Sequence, residues 1–473
     1  MSSTRSKFVV KGMKIMMSKT VKTLCSVALL ASVSATAHAA ISETEARKLG
    51  KQLTPMGAIQ AGNADGTIPA WTGGVSSSPK GFRTGQHHPD PFANDKPLFK
   101  ITAQNYKQYA EKLTVGQIQM FEQYPDSFYM NVYPSRRSAA YPERVYEATR
   151  QAATSAELIS NGNGVTKSAN WSGIPFPIPS SGVEVIWNHV LRYRGTGSAQ
   201  RQIVQAVVNR DGDYSLVKFE DEFYPIYADP GITEEELDNV LIYFKQEVIS
   251  PARLAGGILL VHETLNQEKE HRKAWVYNPG QRRVRRAPNV AFDNPREASD
   301  GLATSDQFDM YNGSPERYNM ELKGREEKFI SYNNYRLHSN EVKYADILKP
   351  LHVNPELVRW ELHRVHVVDA TLKDGQRHIY KRRTFYVDED SWQVAAVDIY
   401  DNRDKLWRVS FGHMIVYYDI PAAWTTVEEH IDLQSGRYLV IGMNNEEPST
   451  YTFGLDRSAG DYRPSSLRRA GRR

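Results

Sequence analysis

Alternation of apolar and polar residues dominates the chain beyond about residue 155. In Lys405–Tyr418, Trp407, Val409, Phe411, His413, Ile415 and Tyr417 alternate with Leu406, Arg408, Ser410, Gly412, Met414 and Val416. A period of two marks a strand whose side chains point to opposite faces. The apolar and aromatic face of this one suits the inside of a curved sheet. In Arg377–Asp388 neither face is purely apolar, and the Arg-bearing face is expected to be wet or to be the contact for the helical arm. Strands are predicted at Gln202–Asn209, Tyr214–Tyr227, Asp238–Ile249, Ala255–Gln267, Arg272–Ala287 and Tyr318–Tyr332, then in a meander over Val358–Leu372, Arg377–Asp388, Trp392–Tyr400, Lys405–Tyr418, Trp424–Leu433 and Arg437–Met443. Turn signals such as Asp211-Gly212 and Ser435-Gly436 separate them, as hairpins require. One stretch breaks the pattern. Val183, Val185, Ile186, Trp187, Val190 and Leu191 form a broad stripe at helical spacing, which predicts a helix over Gly182–Tyr193.

Residues 40–160 read differently. Ser42 and Glu45 have capping-box spacing for a short helix. Helices are predicted over Thr102–Leu113, Thr114–Tyr124 and Pro142–Ala152, with a Gly-, Pro-, Asn- and Ser-rich stretch over 55–100 between the first and the rest. Such a loop-rich region is expected to wrap over the sheet as an arm. The divisions are therefore 1–39, 40–160, 161–455 and 456–473. The class is mainly β (α+β): one large curved antiparallel sheet or incomplete barrel, with covering helices and a long irregular N-terminal arm.

Residues 1–39 read as a secretory leader. Arg5, Lys7, Lys11, Lys14, Lys19 and Lys22 precede an apolar run, Thr23–Ala35, and Ala37-His38-Ala39 has the form cut by signal peptidase, between Ala39 and Ala40. That run is too short for the roughly 20 residues of a membrane span, and no transmembrane segment is expected in the mature chain. The leader changes the charge. It holds six of the 59 Lys and Arg and none of the 55 Asp and Glu, leaving 53 against 55. A near-neutral chain gives no electrostatic ground for nucleic-acid binding. Cys25, the single cysteine, lies in the leader, so the mature chain has neither disulfide nor thiolate chemistry. A periplasmic location is expected, and Arg468, Arg469, Arg472 and Arg473 read as a basic flexible tail within 456–473.

Constellations for catalysis are missing from the sequence. Val261-His262-Glu263-Thr264-Leu265-Asn266 begins like a zinc-binding helix but carries Asn266 in place of the second histidine, on a predicted strand. His363 and His366 fall on opposite faces of a strand, and His87-His88 reads as a surface pair in a Pro-rich loop. Ala61–Ile68 lacks the first carboxylate and the glutamate of a calcium loop and reads as an Asp-Gly turn. Asp388-Glu389-Asp390, Asp398 and Asp401 read as local turn chemistry, although sequence alone leaves a glycosidase pair or other glycan- or ester-cleaving hydrolase open as an alternative. No catalytic residue, cofactor or metal is expected. Eight Trp and 26 Tyr are the marked enrichment, and some of them are expected to line a cavity.

Four stretches carry a family resemblance: Asn170–Pro179 (NWSGIPFPIP), Tyr277–Pro288 (YNPGQRRVRRAP), Leu53–Gly74 (LTPMGAIQAGNADGTIPAWTGG) and Tyr386–Arg408 (YVDEDSWQVAAVDIYDNRDKLWR). With these the chain resembles a proteobacterial periplasmic family of unknown function classed as LolA/LolB-like, that is, like outer membrane lipoprotein-sorting proteins. The resemblance implies a LolA-like β domain over 161–455, curved around an apolar cup. It implies a carrier or chaperone for a lipid or other apolar ligand, serving traffic across the envelope with a resistance-nodulation-division exporter and an outer-membrane protein as partners. A non-catalytic docking module for those partners is the alternative. Trp187, Trp275, Trp360, Trp392, Trp407 and Phe176 are the expected cavity residues. Arg282, Arg283, Arg285 and Arg286, four arginines in five positions, are expected to contact a headgroup or partner.

Overall fold

The alternating stretches pair into one open sheet of 16 strands. The computed structural model describes residues 40–159, 162–287 and 292–470, so the expected leader and the last three residues lie outside the described residues. The arm supplies β1 (Phe99–Ile101) and β2 (Met130–Val132) and a separate two-stranded piece, β3 (Glu157–Leu158) with β4 (Val165–Thr166). A first group of long hairpins follows: β5 (Ser198–Val208), β6 (Tyr214–Tyr224), β7 (Val240–Ser250), β8 (Ile258–Thr264), β9 (Lys273–Asn278) and β10 (Arg283–Arg286). The second group is β11 (Tyr318–Ser331), β12 (Trp360–Leu372), β13 (Arg382–Asp388), β14 (Val394–Tyr400), β15 (Leu406–Tyr417), β16 (Ala422–Asp432) and β17 (Arg437–Met443), with a short β18 (Thr452–Leu455).

The two groups join where β17 pairs antiparallel with β5, so the path runs β1-β2-β12-β13-β14-β15-β16-β17-β5-β6-β7-β8-β9-β10. β11 pairs with β12, and β18 with β5. All these pairings are antiparallel except the bridge between Trp360 of β12 and Val132 of β2. The path leaves β1 and β10 as its ends and does not close. Turns match their sequence signals. In the β5–β6 hairpin Gly212 takes φ +96, and in the β16–β17 turn Gly436 takes φ +71, while the Asp432 carboxylate accepts from the Gln434 and Ser435 amides.

The predicted helix forms over Gly182–Leu191, capped by Ser181, whose hydroxyl accepts from the Glu184 amide. It packs against β11 and β12 and is buried on every side. Gly182 is required there, since a Cβ would stand 2.8 Å from the Met320 carbonyl. Its polar residues are satisfied inside. The Asn188 side chain accepts from the Phe176 amide and donates to the Phe176 carbonyl. His189 accepts from the Val394 amide at Nδ1 and reaches the Asp309 carbonyl with Nε2, an arrangement that fixes the neutral tautomer. Burial, with Arg192 adding, lowers its pKa to about 3.

Arm and sheet belong to one compact unit. The helix Val115–Gln123 carries the full capping box, Thr114 with Gln117, and the Gln117 side chain donates to the Phe329 carbonyl of β11. The expected helix over Thr102–Leu113 is instead a 3-10 segment, Tyr106–Lys112. At the other end, the residues expected as a flexible tail are folded onto β7–β10 as far as residue 470. Tyr462 and Leu467 are fully buried, and Tyr462 donates to Glu222 while stacking on Tyr243. No helix among the described residues is long and apolar enough to cross a membrane.

Candidate functional site

Register decides which side chains of β6–β9 face inward. Phe223 is opposite Phe244, Phe244 opposite Val261, and Gln246 opposite Leu259, which is opposite Val276. Directly opposed residues share a face, so these side chains form one row, apolar except for Gln246. The segment 294–312 lies over that row and closes a cavity of ≈ 190 Å³. Phe308 of this segment packs on Phe244 with ring centres 4.7 Å apart. Val276, 39% exposed, and Leu259 mark the open side.

Two buried carboxylates of the covering segment hold it down. Asp306 is wedged between Arg383 and His378, and Asp309 accepts from Arg192, Arg194 and the Trp424 indole. Burial alone pushes both carboxyls up, but the adjacent arginines outweigh it and hold both well below the usual range. The arginine face of β13 and β15, expected to be wet or to meet the helical arm, is dry and is covered by this segment instead. Arg383 and Arg408 are buried beneath this segment, Arg408 paired with Asp432 and donating to the Leu302 carbonyl. A segment rich in Asp and Ser does not read as a core cover; the burial of its carboxylates depends on arginines at least 70 positions away, a pairing invisible to local pattern.

Polar groups reach the same cavity. Arg194 is held by Asp309, and Arg272 is paired with Glu263 at 2.7 Å. Arg296 lines the cavity with its guanidinium carbon 5.2 Å from the Phe308 ring centre. Behind them Gln246 donates to Asp221, which faces Arg201 at 3.5 Å.

The arginine hairpin sits at the rim of this cavity. Arg285 is opposite Val276 and Arg283 opposite Asn278, so both share the cavity face; Arg286 and Val284 are opposite Trp275 and Tyr277 on the other face. Arg282 occupies the turn at φ +52, next to the Asn278 side chain that accepts from the Gln281 amide. Arg283, Arg285 and Arg286 are exposed.

The expected aromatic residues lie elsewhere. Trp275 is on the outer face of β9, edge-on to His262 and away from Val276. Trp187 donates to the Gly162 carbonyl, and Trp360 meets Phe411 edge-on at 5.4 Å. Trp392 is fully buried, stacks on His366 and donates to the Met56 carbonyl of the arm. Trp407 donates to Asp432, and Phe176 is buried beside Asn188. None of the six lines this cavity. Strand alternation puts Val276 and Trp275 on opposite faces but cannot choose between them, because the neighbouring strands place apolar residues on both and only the roof 294–312 decides.

Two further polar clusters are structural. Asp388, Glu389 and Asp390 are buried and do more than shape a turn. Arg137 of the arm grips Asp390 with two bonds of 2.7 and 2.8 Å, and Glu389 accepts from Arg364 and from the Ile59 amide. Burial and the neighbouring Asp390 push the Asp388 carboxyl up. His363, Asp388 and Asp390 bring three possible metal donors within 4.8 Å, but both Asp390 oxygens are taken by Arg137, and a cation would sit against that guanidinium. The donor set fits an ion-pair network and not a metal. Nor is His88 on the surface: it is buried, bonded to Asp419 at 2.9 Å and to His338 at 3.2 Å. The Ala61–Ile68 stretch is a turn, with Asp65 accepting from the Thr67 amide and Asn63 from the Ile68 amide.

Comparison with known proteins adds the following. The family described as "protein of unknown function (DUF1329)" matches residues 100–468. A Pseudomonas aeruginosa protein, "uncharacterized protein PA3922", is 52% identical over 435 residues, covering 92% of this chain and 94% of its own. Among solved structures, a putative outer membrane lipoprotein-sorting protein domain from Vibrio parahaemolyticus aligns with a TM-score of 0.42 at 14% identity, covering 60% of this chain and 97% of that one. A DUF1329 family protein from Desulfovibrio piger gives 0.39 at 16%, covering 57% and 92%, and the LolA superfamily protein NE2245 from Nitrosomonas europaea 0.37 at 12%, covering 60% and 98%.

Proposed function

This chain belongs to the DUF1329 family of proteins of unknown function, and we propose that it is a non-catalytic periplasmic carrier for an apolar ligand, held between β6–β9 and the segment 294–312. The observation that carries the reading is the cavity itself: a largely apolar floor of Phe223, Ile242, Phe244, Val261 and Val276, roofed by Phe308, with a basic strand paired beside Val276. Energetics suit the role. Each buried methylene contributes about 0.8 kcal/mol against water, and the same gain is available in a bilayer. Transfer between membrane and cavity is then close to neutral, and loading needs no chemical step. Arg282, Arg283, Arg285 and Arg286 would meet the anionic surface from which the ligand is drawn. Native mass spectrometry of protein purified by gentle extraction tests the reading. A bound lipid or other apolar compound is the expected result; ligand-free protein that also takes up no added apolar compound would refute it.

The docking alternative has its own observation. A second opening of ≈ 630 Å³ lies between the 3-10 segment Tyr106–Lys112, β1 and β11, with Leu98 63% exposed at its edge and Phe99 stacked on Tyr109. In that reading an exporter of the resistance-nodulation-division type or an outer-membrane partner would occupy it. Cross-linking in intact cells from position 98 would capture such a partner, and a Leu98→Asp variant would abolish the capture.

A further inference from the structure

Resting on the carrier reading, we infer that the cavity takes a single-chain or single-ring apolar acid, whose carboxylate pairs with Arg296.

The argument starts from charge. Five arginines surround the cavity and the layer behind it: Arg192, Arg194, Arg201, Arg272 and Arg296. Four carboxylates face them: Asp221, Glu263, Asp309 and Glu428. One cation is left over. Arg272 has Glu263, Arg201 has Asp221, and Arg192 and Arg194 share Asp309. Arg296 is the one of the five without an ion pair among the described residues; Glu428, Asp221 and Asp309 act on it through space from beyond ion-pair distance. Its side chain makes one hydrogen bond, 3.4 Å to the Gln307 carbonyl. Glu297, the neighbouring acid, also lines the cavity but is exposed to solvent, where its charge is screened.

Geometry says where that charge acts. Arg296 is half-buried and lines the cavity. The guanidinium carbon lies over the Phe308 ring, and apart from the one nitrogen bonded to Gln307 the donors of the fork make no hydrogen bond among the described residues. Burial weakens its hold on the proton, and the carboxylates nearby, Glu428 first, offset only part of that. A carboxylate would supply the missing charge and accept two parallel N–H bonds, the geometry for which guanidinium is suited. One surplus positive charge matches a monoanion better than a phosphate dianion.

Volume sets the size of the apolar part. A cavity of ≈ 190 Å³ exceeds the roughly 150 Å³ that admits benzene, yet falls below the roughly 300 Å³ at which drug-sized pockets begin. One alkyl chain or one ring fits this scale; the several acyl chains of a lipoprotein do not.

Isothermal titration of the mature protein at pH 8 with decanoate and with decanol tests this. Decanoate is expected to bind at least tenfold more tightly. In Arg296→Gln that preference should vanish with decanol binding unchanged, and in Arg296→Lys most of it should persist. Equal affinity of the wild type for the two would overturn the acid inference and leave the carrier reading standing. Binding of neither would remove both. A preference that survives in a folded Arg296→Gln would show that another group holds the acid.

Discussion

Asp309 is the residue on which the covering segment most depends. It lies in the left-handed region at φ +52 and is the shared counter-ion of two buried guanidiniums, Arg192 and Arg194. Removing one partner of a buried pair is costly because the remaining charge stays desolvated. Asp309→Asn is expected to lower stability by about 3–5 kcal/mol, read from urea unfolding. Arg285→Gln, at the exposed rim, should stay within about 0.5 kcal/mol. His366 gives a pH signature. Burial, helped by Arg325, lowers its pKa to about 3 from an ordinary 6.5. Between those values the unfolded chain takes up a proton that the native protein excludes. Its contribution to stability is therefore complete above pH 6.5 and is lost as the pH falls toward 3. Its Nε2 has no hydrogen-bond partner, so His366→Phe removes the titration without breaking a bond. Unfolding midpoints from pH 4.5 to 7 should show a shallower loss of stability in His366→Phe than in the wild type; identical slopes would refute the assignment. Nothing in a strand-period reading of β12 marks His366 as buried against Trp392, because the partner lies 26 residues on and its turn is closed by the arm.

At the scale of elements, the arm is held by charge as much as by apolar contact. Arg137 reaches from the arm to Asp390 and also donates to the Ile59 carbonyl, while Glu389 accepts from the Ile59 amide. Arg137→Ala is expected to cost about 3–5 kcal/mol by stranding these carboxylates, and to raise amide hydrogen exchange at residues 56–61 before the sheet opens. Unchanged protection at Ile59 would contradict that assignment. Strand positions were legible from alternation and turn signals: the helix Gly182–Leu191 and the meander β12–β17 fall where the pattern places them. The roles of Asp388-Glu389-Asp390 and His88 were not. Such residues look like turn and loop chemistry locally, and only the arm's return over the sheet, hundreds of positions away in sequence, buries them. The C-terminal residues failed for a similar reason. Basic residues concealed Tyr462 and Leu467, the two side chains that anchor the segment.

The whole molecule is an open sheet whose two hairpin groups join at β17 and β5, with one roofed bay on β6–β9. Aromatic enrichment pointed to a cavity but not to its wall, since the tryptophans serve the core and the arm contacts while smaller residues and phenylalanines line the bay. The arginine hairpin was legible as a hairpin, and its place beside the opening follows only from the pairing of Arg285 with Val276. The central claim is that this bay is the ligand site. Titration of Nile red into the wild type and into Val276→Trp tests it most directly, because position 276 is at the rim and tolerates a larger side chain without disturbing the core. Saturable binding by the wild type, weakened at least tenfold in Val276→Trp with the unfolding midpoint unchanged, is the predicted result. Equal affinity in the two proteins, or no saturable binding by the wild type, would contradict it.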